Sequence, residues 1–356
     1  MYNKSLKMKR VILNILLVAM SAIVMVGCGK SGKSATGDDR SLPDATGSPF
    51  ELLAIVPQDV WESPVGDSLA SVFAEPVKFI NQYEPVFDMM RILPENFKDF
   101  LRKHRNIITV RIDPTYTEPT ADAVYDRNAR PQLFVSLYGP DKESLAQYIA
   151  DNREELIALF ENTERERMVS AATKFRELNL IKMIKDMFGM DMNVPRGYVY
   201  RGALKSGDMI VMSYEYPVAT QGFAVYSYPY TGSSDFQKEN IIAMRNKYMA
   251  NIPGPSEGSY MTTSTVFEPE VFYRKIGDRA WAETRGFWET ENDYMGGPFV
   301  SFSTLDADRG RVVVIDGYVY SPRDEKRNML RNLENLVYSV DFPGDNIVVE
   351  AESKKE

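Results

Sequence analysis

From Val11 to Val26 the apolar positions run almost unbroken, with only Asn14 and Ser21 between them, and the run follows the cations Lys4, Lys7, Lys9 and Arg10. From Gly29 to Pro49 the pattern turns polar, rich in Gly, Ser, Asp and Thr, with no apolar period. Short apolar runs then predict strands at Phe50–Val56, Asn106–Ile112 and Gln132–Tyr138. Asp67 reads as the N-cap of a helix over Ser68–Phe73, and Pro94 as the first turn of a helix reaching Lys103. Asn81–Asp88 reads as a loop and Asp113–Arg130 as a polar, Pro-containing excursion. Asp141 caps the longest helical region, where Leu145, Ile149, Leu156 and Phe160 form one stripe and Met168, Leu178, Ile181 and Phe188 a second. The charged run Glu161–Arg167 between the stripes reads as a break or a solvated face, and Gly189 as a C-cap.

After Pro195 the period changes from helical to two. Gly197–Ala203 and Asp208–Tyr216 predict a hairpin, followed by strands at Phe223–Tyr230, Met261–Phe267, Arg279–Thr290, Phe299–Leu305 and Arg311–Tyr318. Phe236–Met249 reads as a helix. Ser321-Pro322-Arg323-Asp324 has the form of a capping box opening a last helix toward Tyr338. A strand, a Tyr, a turn, an Asp and a helix recur at Phe134–Asp141, Ala224–Asp235 and Val313–Asp324. The expected class is α+β: a mainly antiparallel sheet with helices packed on one side, divisible into two ferredoxin-like halves. Residues 50–343 are treated as a single domain with halves 50–193 and 194–343, followed by a polar tail over 344–356.

The N-terminal pattern carries an expectation about place. A cationic start, a short apolar run and a small residue form an export signal. The run is shorter than the roughly 20 residues a spanning helix needs. Met25-Val26-Gly27-Cys28 resembles a lipobox. The resemblance implies cleavage after residue 27 and acylation, palmitate included, of Cys28. Residues 28–49 then form a flexible tether between lipid and domain. Gly27–Ser34 also fits the G-x-x-x-x-G-K-[ST] phosphate loop, but that loop needs a strand before it and a helix after it. Ala35–Pro43 opens no helix, so a nucleotide is not expected.

Composition narrows the chemistry. The formal net charge of −8 has no basic stripe to set against it, which argues against nucleic acid. Cys28 is the single cysteine, so no disulfide forms within the chain, and one histidine with one cysteine excludes Cys/His metal sites. That histidine, His104, lies in the charged run Arg102–Arg105 and no G-x-S-x-G elbow accompanies it, so it reads as structural. Asp306–Gly310 begins like a calcium loop but lacks the later ligands, and reads as a hairpin turn. No cofactor is called for. Tyrosine, at 20 residues, is abundant. Tyr198 and Tyr200, Tyr214 and Tyr216, and Tyr226 and Tyr228 stand two apart, each pair on one face of a strand, and form a binding surface wherever that face is exposed.

Three places are richer in Trp, Gly and charge than plain turns require: Trp61, Glu62, Gly66 and Asp67; Arg105 and Asn106; and Trp288 with Gly296 and Gly297. These are the candidate binding residues. The same places, with Val194–Tyr198, Tyr226–Tyr230 and Met295–Phe299, resemble an uncharacterised Bacteroidetes lipoprotein family, a domain of unknown function. The resemblance covers nearly the whole mature chain. It implies an outer-membrane lipoprotein of a Gram-negative envelope and supplies no activity. Surface-displayed lipoproteins of such bacteria resemble one another in having acidic residues directly after the cysteine; here Gly29-Lys30-Ser31-Gly32-Lys33 follows Cys28, so the comparison implies a periplasm-facing anchor. Two functions stay open: a non-catalytic module binding an envelope protein, peptide or glycan, and a carboxylate-dependent hydrolase of an envelope polymer.

Overall fold

The computed structural model describes residues 42–204 and 206–343. The export signal, Cys28, most of the tether and the polar tail lie outside the described residues. No helix among the described residues is long and apolar enough to cross a membrane. The class is α+β, built on two sheets.

The first sheet has strand order β2-β1-β3-β5-β4, from β1 (Glu51–Ile55), β2 (Asp88–Ile92), β3 (Asn106–Ile112), β4 (Thr120–Tyr125) and β5 (Leu133–Gly139). All pairings are parallel except β4 with β5. Parallel strands are buried on both faces. Accordingly Leu52, Ala54, Ile108, Val110 and Val135 pack under helices, while Leu53, Ile55, Ile107 and Phe134 face Phe97 and Leu101 on the other side. The helices are α1 (Gln58–Trp61, one turn), α2 (Pro64–Phe73), α3 (Lys142–Asp151) and α4 (Arg153–Lys174). The second half opens with α5 (Leu178–Phe188).

The second sheet is wholly antiparallel, in the order β10-β11-β12-β13-β8-β7-β6, with β9 pairing the far end of β11. Its strands are β6 (Val199–Ala203), β7 (Met209–Glu215), β8 (Thr220–Pro229), β9 (Tyr260–Thr263), β10 (Glu270–Ile276), β11 (Arg279–Glu291), β12 (Gly296–Asp306) and β13 (Arg311–Tyr320). Strict alternation gives each strand two apolar faces. Phe223, Val225, Val313 and Ile315 meet α5 and α7 (Arg327–Val337). Ala224, Tyr226, Val312 and Val314 meet α6 (Lys238–Met249).

Several expectations change. Helices cover both faces of the second sheet, because both sets of alternate positions are apolar. The two halves are not alike: one sheet is largely parallel and the other antiparallel, so a pair of ferredoxin-like units is not what the repeat encodes. The cap of α2 is Ser63, whose Oγ accepts from Val65 N at 3.4 Å with Pro64 at the first helical position, rather than Asp67. The charged run Glu161–Arg167 lies inside α4, and the break comes earlier, at Asn152. The edge strands β4 and β10 and the short β2 escaped the pattern; β4 is exposed along its whole length, so it shows no alternation.

Half of the paired tyrosines are core, and Tyr214 and Tyr216 are half-buried. Tyr198, Tyr226 and Tyr228 are buried, and Tyr226 stacks on Tyr248 of α6 at 4.4 Å. Tyr200 alone of the six is exposed. A shared tyrosine surface therefore does not form on these strands.

Candidate functional site

The sequence-derived candidates have internal partners. Gly66 lies under Trp61: a Cβ there would stand 1.9 Å from the Trp61 carbonyl oxygen. Trp61 is half-buried with the Arg91 guanidinium 5.7 Å from its ring, while Glu62 and Asp67 are exposed. His104 is buried, with Nδ1 3.1 Å from the Asn106 carbonyl and Nε2 3.3 Å from Glu51. Arg105 and Asn106 belong to a buried cluster around Glu164 of α4. Arg105 donates to Glu164 through Nε at 2.8 Å and Nη2 at 2.6 Å, and Asn106 Nδ2 donates at 2.6 Å. Arg167, one turn on, donates to Glu164 at 2.7 Å and to Asn106 Oδ1 at 2.8 Å. This cluster is why the charged run does not break the helix.

Trp288 is buried and donates from Nε1 to the Val319 carbonyl at 3.1 Å. Gly297 stands beside the same carbonyl: a Cβ there would approach its oxygen to 2.0 Å. At Gly296 a Cβ would lie 2.8 Å from the Trp288 carbonyl oxygen. Both glycines let neighbouring backbone come close.

A large cleft lies elsewhere, between the halves. It has a volume of about 1020 Å³ and is lined by the segment after α2, by α4, by β10 and β11 and by α7. Clefts where two packed units meet are among the preferred places for a ligand site. A ladder of alternating charges crosses its floor. Glu161 of α4 pairs with Arg331 of α7. Arg331 donates to Glu334 at 3.1 Å, and Arg285 of β11 donates to the other oxygen of Glu334 at 2.8 Å. Arg285 and the edge-strand Arg274 both pair with Glu283. Glu334 and Glu283 are the buried steps, with side chains 4% and 3% exposed, and Arg274 is the open end at 50%.

The electrostatics follow from this packing. Burial alone would push the Glu334 carboxyl up, but Arg285 and Arg331 overcome that and hold it down to about 2. Against their burial, Glu334 and Glu283 hold the pKa of Arg285 above its ordinary value, and Glu161 and Glu334 do the same for Arg331. Every acid of the ladder is matched by a guanidinium, so its charges are balanced and fixed in place. Arg331 Nε remains buried without a partner. Around the ladder stand rings: Phe272 and Tyr273 of β10, the latter strongly exposed, and Tyr338 with the Arg165 guanidinium 4.0 Å above it.

Sequence reading missed this site because its parts are far apart along the chain. The one local signal was on α7, where Arg327, Arg331 and Glu334 fall at helical spacing beside the stripe Leu330, Leu333, Val337. Asp316 is the buried carboxyl whose acidity is weakened: burial pushes it up, with Arg245 opposing from 3.0 Å. It sits under α6, outside the cleft. Among the described residues no group of three or more His, Cys, Asp or Glu is arranged to hold a metal.

Comparison with known proteins divides the chain in the same region. Residues 45–173 match the family model for a domain of unknown function (DUF8532). Residues 177–339 match that for a second domain of unknown function (DUF4837). The two matches support an uncharacterised domain family. No curated protein matches. Among solved structures, a Bacteroides thetaiotaomicron VPI-5482 protein is 12% identical with a TM-score of 0.25, over 43% of this chain and 44% of that one. The alignment thus spans less than half of that protein. The Saccharomyces cerevisiae Ran-binding protein Mog1p is 12% identical with a TM-score of 0.27, over 43% of this chain and 90% of that one. LpqN of Mycobacterium tuberculosis, described as involved in cell envelope biogenesis, is 13% identical with a TM-score of 0.26, over 42% and 79%.

Proposed function

We propose that this chain is a non-catalytic binding module of the cell envelope, anchored by lipid on Cys28, and that the cleft between its halves takes a glycan. The observation that carries the reading is the charge ladder. A sugar hydroxyl both donates and accepts, and it meets alternating carboxylate acceptors and guanidinium donors along the cleft floor. The rings of Phe272, Tyr273 and Tyr338 offer apolar faces beside them. A hydrolase of the same polymer is the alternative. It needs one carboxyl held protonated near neutral pH as general acid. Glu334 is shifted the other way.

Calorimetry with soluble envelope-derived oligosaccharides tests the glycan reading. The pair Tyr273→Ala and Arg274→Ala, both at exposed positions of an edge strand, should weaken binding more than tenfold with the fold intact. Unchanged affinity would remove the cleft from the proposal. Release of reducing ends by the wild type, lost in Glu283→Gln, would favour the hydrolase. The anchor is tested separately. Cys28→Ala should leave an unprocessed precursor or a soluble form, and protease shaving of intact cells should spare a periplasm-facing protein.

A further inference from the structure

On the other face of the second sheet, a cavity of about 390 Å³ opens between the β6–β7 hairpin and the loop after α6. That volume falls within the range of small-molecule sites, about 300–1000 Å³. Its walls are mostly apolar: Leu204, Met209 and Val211 from the hairpin, Ile252 and Pro253 from the loop.

One end is polar and satisfied within itself. Arg201 donates from Nε to Ser213 Oγ and from Nη2 to Glu215 Oε1, each at 2.7 Å. Ser213 Oγ donates to the same Glu215 oxygen at 2.7 Å, and Thr220 Oγ1 donates to the other at 2.7 Å. Charge is matched and the carboxylate's lone pairs are largely used.

Tyr318 is different. It lines the cavity and is 7% exposed, yet its hydroxyl has no hydrogen-bond partner among the described residues. The oxygen is open to the cavity, so a molecule bound there can supply the partner. The ring is held from both sides. Trp288 meets it edge-on at 5.9 Å, and Gly222 clears the space its hydroxyl occupies, since a Cβ there would lie 2.4 Å from that oxygen. Burial pushes the phenol's pKa up, so it remains a donor.

We infer that this cavity is a binding site for an uncharged, largely apolar small molecule with one hydrogen-bond acceptor, an ester or amide carbonyl, to which Tyr318 donates. A charged ligand would find Arg201 and Glu215 already matched. Trp288 and the two glycines behind it then hold the donor in place. The site is independent of the cleft, on the opposite face of the sheet.

The test follows the methyl resonance of Met209 in the full chain, methionine-labelled and held in lipid nanodiscs, with methyl hexanoate as probe. The wild type should show a saturable shift. Tyr318→Phe removes only the hydroxyl and should weaken the probe by about 2- to 10-fold, the range for one hydrogen bond. Gly202→Trp should abolish the shift. Gly202 pairs with Val211 across the hairpin and both line the cavity, so a side chain introduced there would enter it, and a Cβ there meets nothing within 4 Å. Hexanoate, the charged counterpart, should leave Met209 unmoved. An unmoved resonance in the wild type, unchanged affinity in either variant, or an equal response to hexanoate would overturn the assignment.

Discussion

Glu84 caps a helix that begins 243 residues after it: its two carboxylate oxygens each accept the Lys326 backbone N–H at 2.9 Å, and one also accepts that of Arg327 at 2.6 Å. Glu84 is buried, and its neighbours Pro85 and Asp88 take the Arg327 side chain at 2.6 and 2.7 Å. A carboxylate at a helix N-terminus meets both the free N–H groups and the positive end of the dipole. The first half therefore supplies the start of α7, and α7 carries the core of the cleft.

Replacing Glu84 by Ala should cost about 2–3 kcal/mol, because it leaves buried N–H groups unpaired. Asp324→Ala, in the apparent capping box, should stay within about 0.5 kcal/mol, as expected for an exposed side chain. Denaturant unfolding of both variants measures the contrast. Equal effects would place the cap at the local sequence.

The ladder predicts acid sensitivity. The Glu334 pKa falls from 4.5 to about 2 on folding, so its pairing stabilises the fold above the unfolded value and is lost as pH drops toward the folded one. Stability should decline between about pH 5 and about pH 2, and Glu334→Gln should flatten that decline. A thermal-denaturation series over this window checks it. An identical slope in the variant would show that other carboxyls dominate.

Glu164 holds Arg105, Asn106 and Arg167 together. Glu164→Gln leaves two guanidinium groups without a counter-charge in a buried setting and should cost about 3–5 kcal/mol. Arg105→Lys should also destabilise, because an ammonium cannot reproduce the two-pronged contact. Full stability in both variants would free Arg105 for a role in binding.

Gly297→Ala should destabilise by about 3 kcal/mol, at the upper end of overpacking, because its Cβ would meet the Val319 carbonyl. Stability retained in this variant, together with lost ligand binding, would make Gly297 part of a binding surface instead of a strand contact.

Much of the architecture was legible in the sequence because it rests on local rules. Alternating β-branched residues marked β3 over Asn106–Ile112, and period-two runs marked the long strands of the second sheet. Gly189 ends α5 in the left-handed region, at φ 60°, as a C-cap glycine should. The acidic balance and the single Cys and His limited the chemistry by count alone. Other features needed the folded chain. The capping box at Ser321 had the right letters, yet α7 starts at Arg327, where Glu84 meets it. Glu161, Glu283 and Glu334 looked like three among many surface acids until α4, β11 and α7 came together around Arg285 and Arg331. Tyr198, Tyr226 and Tyr228 had the spacing of an exposed face, but both faces of an apolar-rich sheet were covered by helices. Periodicity follows from backbone geometry and is written residue by residue. Ion pairs, caps and burial depend on which distant segments meet, and only the packed structure decides that.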